Sequence, residues 1–296
     1  MSDNPNEDMA NLCDMHRGKL LIACPDRPGV VAAATGFLFR EEANIVHADQ
    51  HSTAEEPSTF FMRIEFEAEN LESRLPALRA GFRPIAEPFS MRYSFTPDSQ
   101  RKRIAVFVSK EDHCLLELLW HVRSGDIPAE VALVISNHPD LESAVRPFGI
   151  PFHHVPVSAT TKVQAEAHQL DLCQGLDLIV LARYMQIVSA EFLRAWTDRV
   201  INIHHSFLPA FAGARPYHQA HERGVKLIGA TAHYATAELD AGPIIEQDVQ
   251  RVDHRADPQE LRRLGRQVER AVLARAVKWH VEDRVIVHGN RTVVFA

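Results

Sequence analysis

The sequence predicts an α/β protein in two parts: a β-α-β-β-α-β unit over residues 15–95, then a unit over residues 104–296 built on a mostly parallel sheet. Three observations predict this. Residues 96–103, Thr96-Pro97-Asp98-Ser99-Gln100-Arg101-Lys102-Arg103, join turn formers to a short basic run and read as a linker. Before the linker, two strand-like runs follow one another between helical ones. After it, short and nearly continuous apolar runs alternate with helical patterns, as strands covered on both faces do.

In the first part, Lys19 to Cys24 reads as a strand and Pro25-Asp26-Arg27-Pro28-Gly29 as a turn that opens a helix through Phe39. Pro28 suits the first helical position, where an amide donor would go unpaired anyway, and Asp26 is placed to cap the exposed donors. Asn44 to His51 and Ser58 to Glu67 read as strands, Leu71 to Ala80 as a helix, and Phe89 to Phe95 as the last strand. That order is the ferredoxin-like split pattern.

In the second part the strands are expected at Ile104 to Ser109, Val131 to Ser136, Phe152 to Val155, Asp177 to Ala182 and Val200 to Ile203. Helices fill Cys114 to Arg123, Leu141 to Phe148, Lys162 to Cys173 and Ala190 to Trp196. A short helix from Tyr217 to Arg223 precedes strands at Leu227 to Ala235 and Ile244 to Val252. A long amphipathic helix then runs from Pro258 to His280; Asp257 before Pro258, with Glu260 in the first turn, is its start signature. The whole reads as a Rossmann-like α/β unit.

Composition narrows the partners. A formal charge of -7 and a pI near 6.2 give no field that would draw nucleic acid or an anionic membrane, so a small-molecule partner is expected. The four cysteines, Cys13, Cys24, Cys114 and Cys173, show no regular spacing and read as free thiols in a reducing compartment. The N-terminus is polar and acidic rather than basic then apolar, and no apolar run approaches membrane-spanning length; a soluble, cytoplasmic protein is expected.

The chemistry concentrates at Ile201-Asn202-Ile203-His204-His205-Ser206-Phe207-Leu208-Pro209 and Glu238-Leu239-Asp240-Ala241-Gly242-Pro243. Ligands of open α/β sheets gather beyond the carboxyl ends of the strands, where both stretches fall. Residues two apart on a strand face one side, so Asn202 and His204 share a crevice, with His205 turned away. Asp240 beside His204 would favour its imidazolium by roughly one to three pKa units. His204 and Asn202 would then both donate to a developing oxyanion, at roughly 3 kcal/mol per donor.

These residues resemble the formyltransferase family that uses 10-formyltetrahydrofolate, with its Asn-x-His-x-Ser-x-Leu-Pro and Leu-Asp-x-Gly-Pro motifs. The resemblance places Asn202, His204 and Asp240 on that family's catalytic triad and makes Leu181 to Val188 its pterin-side strand and loop. It implies substrate contacts from Arg183, Tyr184, Met185, Gln186 and Val188, joined by His233 and Thr236. Many members carry arginine where this chain has Gln186. The first part resembles an ACT domain through Asp26-Arg27-Pro28-Gly29 and Asn44-Ile45, which implies an amino-acid effector near Asp26, Pro28, Gly29, Asn44 and Ile45; a packing module without a ligand is the alternative.

Relatives that formylate a phosphorylated ribosyl amine carry a glycine-rich phosphate loop after their first strand. Here that stretch is Val108-Ser109-Lys110-Glu111-Asp112-His113-Cys114-Leu115, without glycine and with carboxylates that would repel phosphate. With the ACT-like unit, and with Phe211-Ala212-Gly213-Ala214-Arg215-Pro216-Tyr217-His218-Gln219-Ala220, this is similar to the formyltetrahydrofolate deformylase subfamily. Water is then the acceptor, and neither metal nor cofactor is implied.

A formyltransferase acting on an amine, or a non-catalytic folate and amino-acid sensor, are the rival functions. His218 and His221, three apart on one helical face, would form a zinc site with His204, His205 or His233 in a further alternative. His153, His154, His168 and His280 read as ordinary surface or core histidines. His233 either orients a catalytic water or bonds within the sheet. An even-numbered homo-oligomer, dimer or tetramer, is expected.

Overall fold

Side-chain alternation along one central strand divides the larger unit's core into two layers. Ile104, Val106 and Val108 face one hydrophobic cluster, while Ala105 and Phe107 face another. Period-two geometry allows this, and it requires apolar cover on both sides of the sheet. The structure is a computed structural model and describes residues 15–208 and 216–296. Cys13, Pro209 and the stretch Phe211 to Arg215, read above as motif residues, lie outside the described residues.

The chain divides between Gln100 and Arg101 into two compact units. In the first, β1 (Met15–Pro25), α1 (Val30–Arg40), β2 (Asn44–Ser52), β3 (Thr59–Glu69), α2 (Leu71–Ala86) and β4 (Arg92–Pro97) form a β-α-β-β-α-β unit. The sheet order is β2-β3-β1-β4, with antiparallel neighbours. Phe37, Phe66, Phe82 and Phe95 meet edge to face in its core, with Phe37 and Phe82 centroids 5.1 Å apart.

Two local expectations change here. Gly29 is the N-cap residue of α1, at φ 97, with no side-chain cap bond, so Pro28 and Asp26 precede the helix instead of starting and capping it. Asp26 instead accepts from the Ser58 hydroxyl at 3.5 Å. Further on, α2 continues to Ala86 and into a 3-10 turn over Glu87–Phe89, which delays the last strand to Arg92.

The second unit carries a seven-stranded sheet. Its strands are β5 (Lys102–Val108), β6 (Ala129–Ser136), β7 (Phe152–His154), β8 (Leu178–Leu181), β9 (Val200–His204), β10 (Leu227–Tyr234) and β11 (Ile244–Arg251). They run in the order β11-β10-β9-β8-β5-β6-β7. From β9 to β7 the neighbours are parallel, and β10 is antiparallel to both β9 and β11.

The helices are α3 (His113–Ser124), α4 (Glu142–Val145), α5 (Lys162–Leu172), α6 (Ala190–Ala195), α7 (Pro216–Glu222) and α8 (Pro258–Val281). Residues of α3 and α8 pack on one face of the sheet; Ala165 of α5 and Phe192 and Leu193 of α6 pack on the other. Asp257 caps α8 by accepting from Glu260 N at 2.8 Å, as its start signature implies. A terminal hairpin, β12 (Val285–His288) with β13 (Arg291–Val294), is an addition to the sequence reading.

His280 packs against the core: its Nδ1 lies 2.7 Å from the Tyr234 hydroxyl, and burial pushes its pKa down to about 3. Cys24, Cys114 and Cys173 are buried free thiols. Among the described residues no helix is long and apolar enough to cross a membrane.

Candidate active site

Strand pairing places the site. Because β9 and β10 are antiparallel, with Thr231 opposite His204, Asn202 stands directly opposite His233. Opposed residues share a sheet face and their side chains touch. The Asn202 amide nitrogen and His233 Nε2 lie 3.1 Å apart. The other ring nitrogen, Nδ1, lies 3.0 Å from the Tyr234 carbonyl oxygen.

A carbonyl only accepts, so Nδ1 carries the proton. Burial lowers the His233 pKa and keeps the ring neutral, which leaves a lone pair on Nε2. The Asn202 amide nitrogen therefore donates to it, and its second proton remains for another acceptor. The two sequence-based roles for His233 resolve toward hydrogen bonding within the sheet, and that bonding fixes the orientation of Asn202.

The loop after β10 brings in the carboxylate. Asp240, at φ 56, is in the left-handed region that aspartate tolerates better than most side chains. Its Oδ2 lies 3.3 Å from His204 Nδ1 and its Oδ1 3.8 Å from His233 Nε2. Two residues on, Gly242 lets the loop fold against the strand; a Cβ there would collide with the Tyr234 carbonyl, the group that holds the His233 proton.

The expectation that His204 is an imidazolium is corrected. Burial is the largest influence on it and lowers its pKa; Asp240 pulls the other way and is outweighed, with the Arg183 charge adding to the lowering. His204 is neutral, its Nδ1 proton turned to Asp240, and its buried Nε2 has no hydrogen-bond partner among the described residues. His205 also lines the cleft, although strand alternation was expected to turn it away; burial pushes its pKa down to about 4.

The cleft has a volume of about 480 Å³, within the range of small-molecule sites. Asn202, His204, Asp240, His233, Thr236, Arg183, Tyr184, Met185, Gln186 and Val188 all line it. They differ in character. Tyr184 is core: it lies edge to face with Phe107, and its hydroxyl accepts from Gln169 at 2.9 Å. Met185 is 59% exposed and, with Ile187 and Leu239, leaves apolar surface at the rim. The loop from Arg183 is anchored by Met185 N, which donates to the Ser109 hydroxyl at 2.9 Å.

Sequence reasoning held Leu181, Ile187 and Leu239 within its motif stretches without giving them a contact, and it missed the wall residue Leu193, whose apolar character does not set it apart from the core. It also missed Glu269, an acid on the otherwise apolar stripe of α8 formed by Leu261, Val268 and Val272. That mismatch was readable.

The zinc alternative is not formed among the described residues, since neither His218 nor His221 joins a group of side chains with ligand-like proximity. Among the described residues the group with ligand-like proximity is His113, Cys114 and Glu269. Its Glu269 is engaged by His113, Tyr217 and Arg183, and burial pushes the Cys114 thiol well up. In the first unit, Asp26 to Gly29 and Asn44-Ile45 lie at opposite ends of α1, about 16 Å apart at the helical rise. One copy does not bring them together.

The fold and this cleft define a formyl transferase domain joined to an ACT domain: the Formyl transferase family model matches residues 102–277 and the ACT domain model residues 19–80. The chain is 53% identical over 281 residues to the formyltetrahydrofolate deformylase of Bacillus subtilis, covering 94% of each. It is 55% identical over 280 residues to that of Mycobacterium bovis, covering 94% of this chain and 90% of the relative. The solved structure of a formyltetrahydrofolate deformylase from Pseudomonas syringae superposes with a TM-score of 0.92 at 49% identity, over 98% of both chains. A glycinamide ribonucleotide transformylase from Symbiobacterium toebii matches with a TM-score of 0.63 at 34% identity, over 66% of this chain and 95% of its own. The chain belongs to the formyltetrahydrofolate deformylase family.

Gly242→Ala tests the loop packing. The Asp240 turn must shift while the core stays intact, so turnover should fall about a hundredfold, as a displacement of about 1 Å can cause. Thermal melting should fall as well, because the atom in the way is backbone of the buried residue Tyr234, but the variant should still fold. Wild-type turnover in this variant would show that the turn has slack.

Proposed function

We propose that the protein hydrolyses 10-formyltetrahydrofolate to tetrahydrofolate and formate. The observation that carries this reading is the meeting of Asp240 with His204 and, through His233, with an oriented Asn202 in one cleft. The family's name supports the substrate.

The chemistry follows from the donors present. A water held by Asp240 attacks the formyl carbon and gives its proton to the carboxylate as the carbon–oxygen bond forms. The remaining Asn202 amide proton donates to the tetrahedral oxyanion, a preorganised contact of the kind that stabilises such charge. The carbon–N10 bond then breaks, protonated Asp240 returns the proton to N10 while the His204 Nδ1–H stays turned to its carboxylate, and formate and tetrahydrofolate leave. The steps balance with water alone, so the reading calls for no cofactor and no metal.

The finer parts of the reading belong with it. Formate and tetrahydrofolate are products that balance a one-carbon folate pool for purine synthesis, and a cytoplasmic setting fits the buried free thiols. A small amino-acid effector touching both Asp26 to Gly29 and Asn44-Ile45 must bridge two copies of the first unit, because one copy holds them at opposite ends of α1. This supports an even-numbered homo-oligomer.

Asp240→Asn should abolish formate release, by about ten-thousandfold if the carboxylate is the base, while binding of tetrahydrofolate persists; general-base losses span about two to four orders of magnitude. Formate release at the wild-type rate would end the proposal. The pH profile gives a second test. A lowered His204 pKa keeps the neutral ring on acidification past the ordinary imidazole value of 6.5. The acid limb of kcat/KM should therefore have its midpoint below 6.5; a midpoint above that value would contradict the neutral-histidine route.

A further inference from the structure

Two features of the second unit run against local preference, and both meet at one buried carboxylate. Arg183 holds a φ of 64, where a glycine sits freely and an arginine rarely does. Gly265 lies inside α8, where glycine weakens a helix, and a Cβ there would collide with the Tyr217 hydroxyl. Glu269, one helical turn further on, is 1% exposed. It accepts from the Tyr217 hydroxyl at 2.8 Å and from His113 Nε2 at 2.8 Å, and Arg183 Nε lies 3.4 Å away.

Burial works against the charge on Glu269, but the His113 hydrogen bond and the Arg183 charge outweigh it and hold the carboxyl below its ordinary range. The glycine in the helix makes room for Tyr217, Tyr217 and His113 hold Glu269 by hydrogen bonds, and Glu269 meets the Arg183 side chain as an ion pair while the Arg183 carbonyl accepts from Ser109 N at 3.3 Å. A backbone conformation like that of Arg183 persists where its surroundings over-determine it, and it clusters at working sites. Glu269 stands outside the cleft; Arg183 lines it together with His204, His205 and Asp240.

We propose that the Arg183–Glu269 pair sets the acceptor: the guanidinium, clamped from behind, closes the cleft beside the two histidines so that water, and not an amine, reaches the formyl carbon. The inference rests on the hydrolysis reading above. An amine acceptor is larger than water and arrives largely as an ammonium ion, so a fixed guanidinium opposes it by volume and by charge; discrimination can come from what a site repels. The fold does not decide the acceptor, since the transformylase from Symbiobacterium toebii shares it. Arg183 is thus a specificity residue and Glu269 a positioning residue.

The test uses the full chain, 10-formyltetrahydrofolate and glycinamide, a primary amine largely protonated at neutral pH, as the probe amine, with formate and N-formylglycinamide both quantified. In the transfer reaction the amine nitrogen bonds to the formyl carbon, the carbon–N10 bond breaks and N10 takes the displaced proton. Wild type should release formate with little N-formylglycinamide above the protein-free blank. Arg183→Gly, which suits the backbone, should raise the N-formylglycinamide share about tenfold, and Glu269→Gln should move it in the same direction, a size typical of losing one discriminating group.

A product ratio unchanged in both variants, with melting curves that show them folded, would overturn the inference. So would a parallel loss of both products, which would put Arg183 in the hydrolytic machinery itself. Either result with formate released by wild type leaves the hydrolysis reading standing; a wild type that forms only N-formylglycinamide sinks both.

Discussion

The antiparallel pairing of β9 with β10 is the constraint on which the site depends. It sets Asn202 opposite His233, and from that one register the amide acquires a partner, an orientation and a spare donor. A slip of β10 by one residue would turn His233 to the other face of the sheet, away from Asn202. The same pairing lets β10 end where its following loop returns over β9, which carries Asp240 to His204. Parallel strands from β9 to β7 supply the scaffold, and one antiparallel step at its edge supplies the chemistry.

Burial then sets the charge states. His204, His205 and His233 lie beside a carboxylate, yet all have lowered pKa values because desolvation is the largest influence on each. The site is therefore a group of neutral rings around one carboxylate, with protons placed by geometry: Nδ1 of His233 on a carbonyl, Nδ1 of His204 on Asp240. Behind it lies the opposite arrangement, a buried carboxylate at Glu269 surrounded by donors, and its burial is tolerable only because its oxygens are engaged. The two clusters meet along His204, His205 and Tyr217, whose rings lie 5.1 Å and 6.3 Å apart in succession.

Much of this was legible in the residues. The strands of the large sheet could be read because burial on both faces leaves continuous apolar runs such as Ile104 to Val108, and the start of α8 because Asp257 and Pro258 carry their own mechanism. The start of α1 could not, since Gly29 took the capping position in a conformation that Asp26 and Pro28 do not announce. The hairpin from Val285 to Val294 was too short for its alternation to stand out. At the site, motif spacing located Asn202, His204 and Asp240 but not the protonation of His204, because depth of burial depends on chain segments far away in sequence. The role of His233 needed the strand register, and that of Glu269 needed the meeting of α7, α8 and the loop after β8.

The most direct test of the account is the protonation of His233 and His204 read by nitrogen NMR on selectively labelled protein at neutral pH. The account predicts two neutral rings, each with its proton on Nδ1 and a bare Nε2. An Nε2 proton on His233, or an imidazolium at His204, would contradict it, because Asn202 would then lose its acceptor or the Asp240–His204 pair would hold a charge that burial is said to exclude.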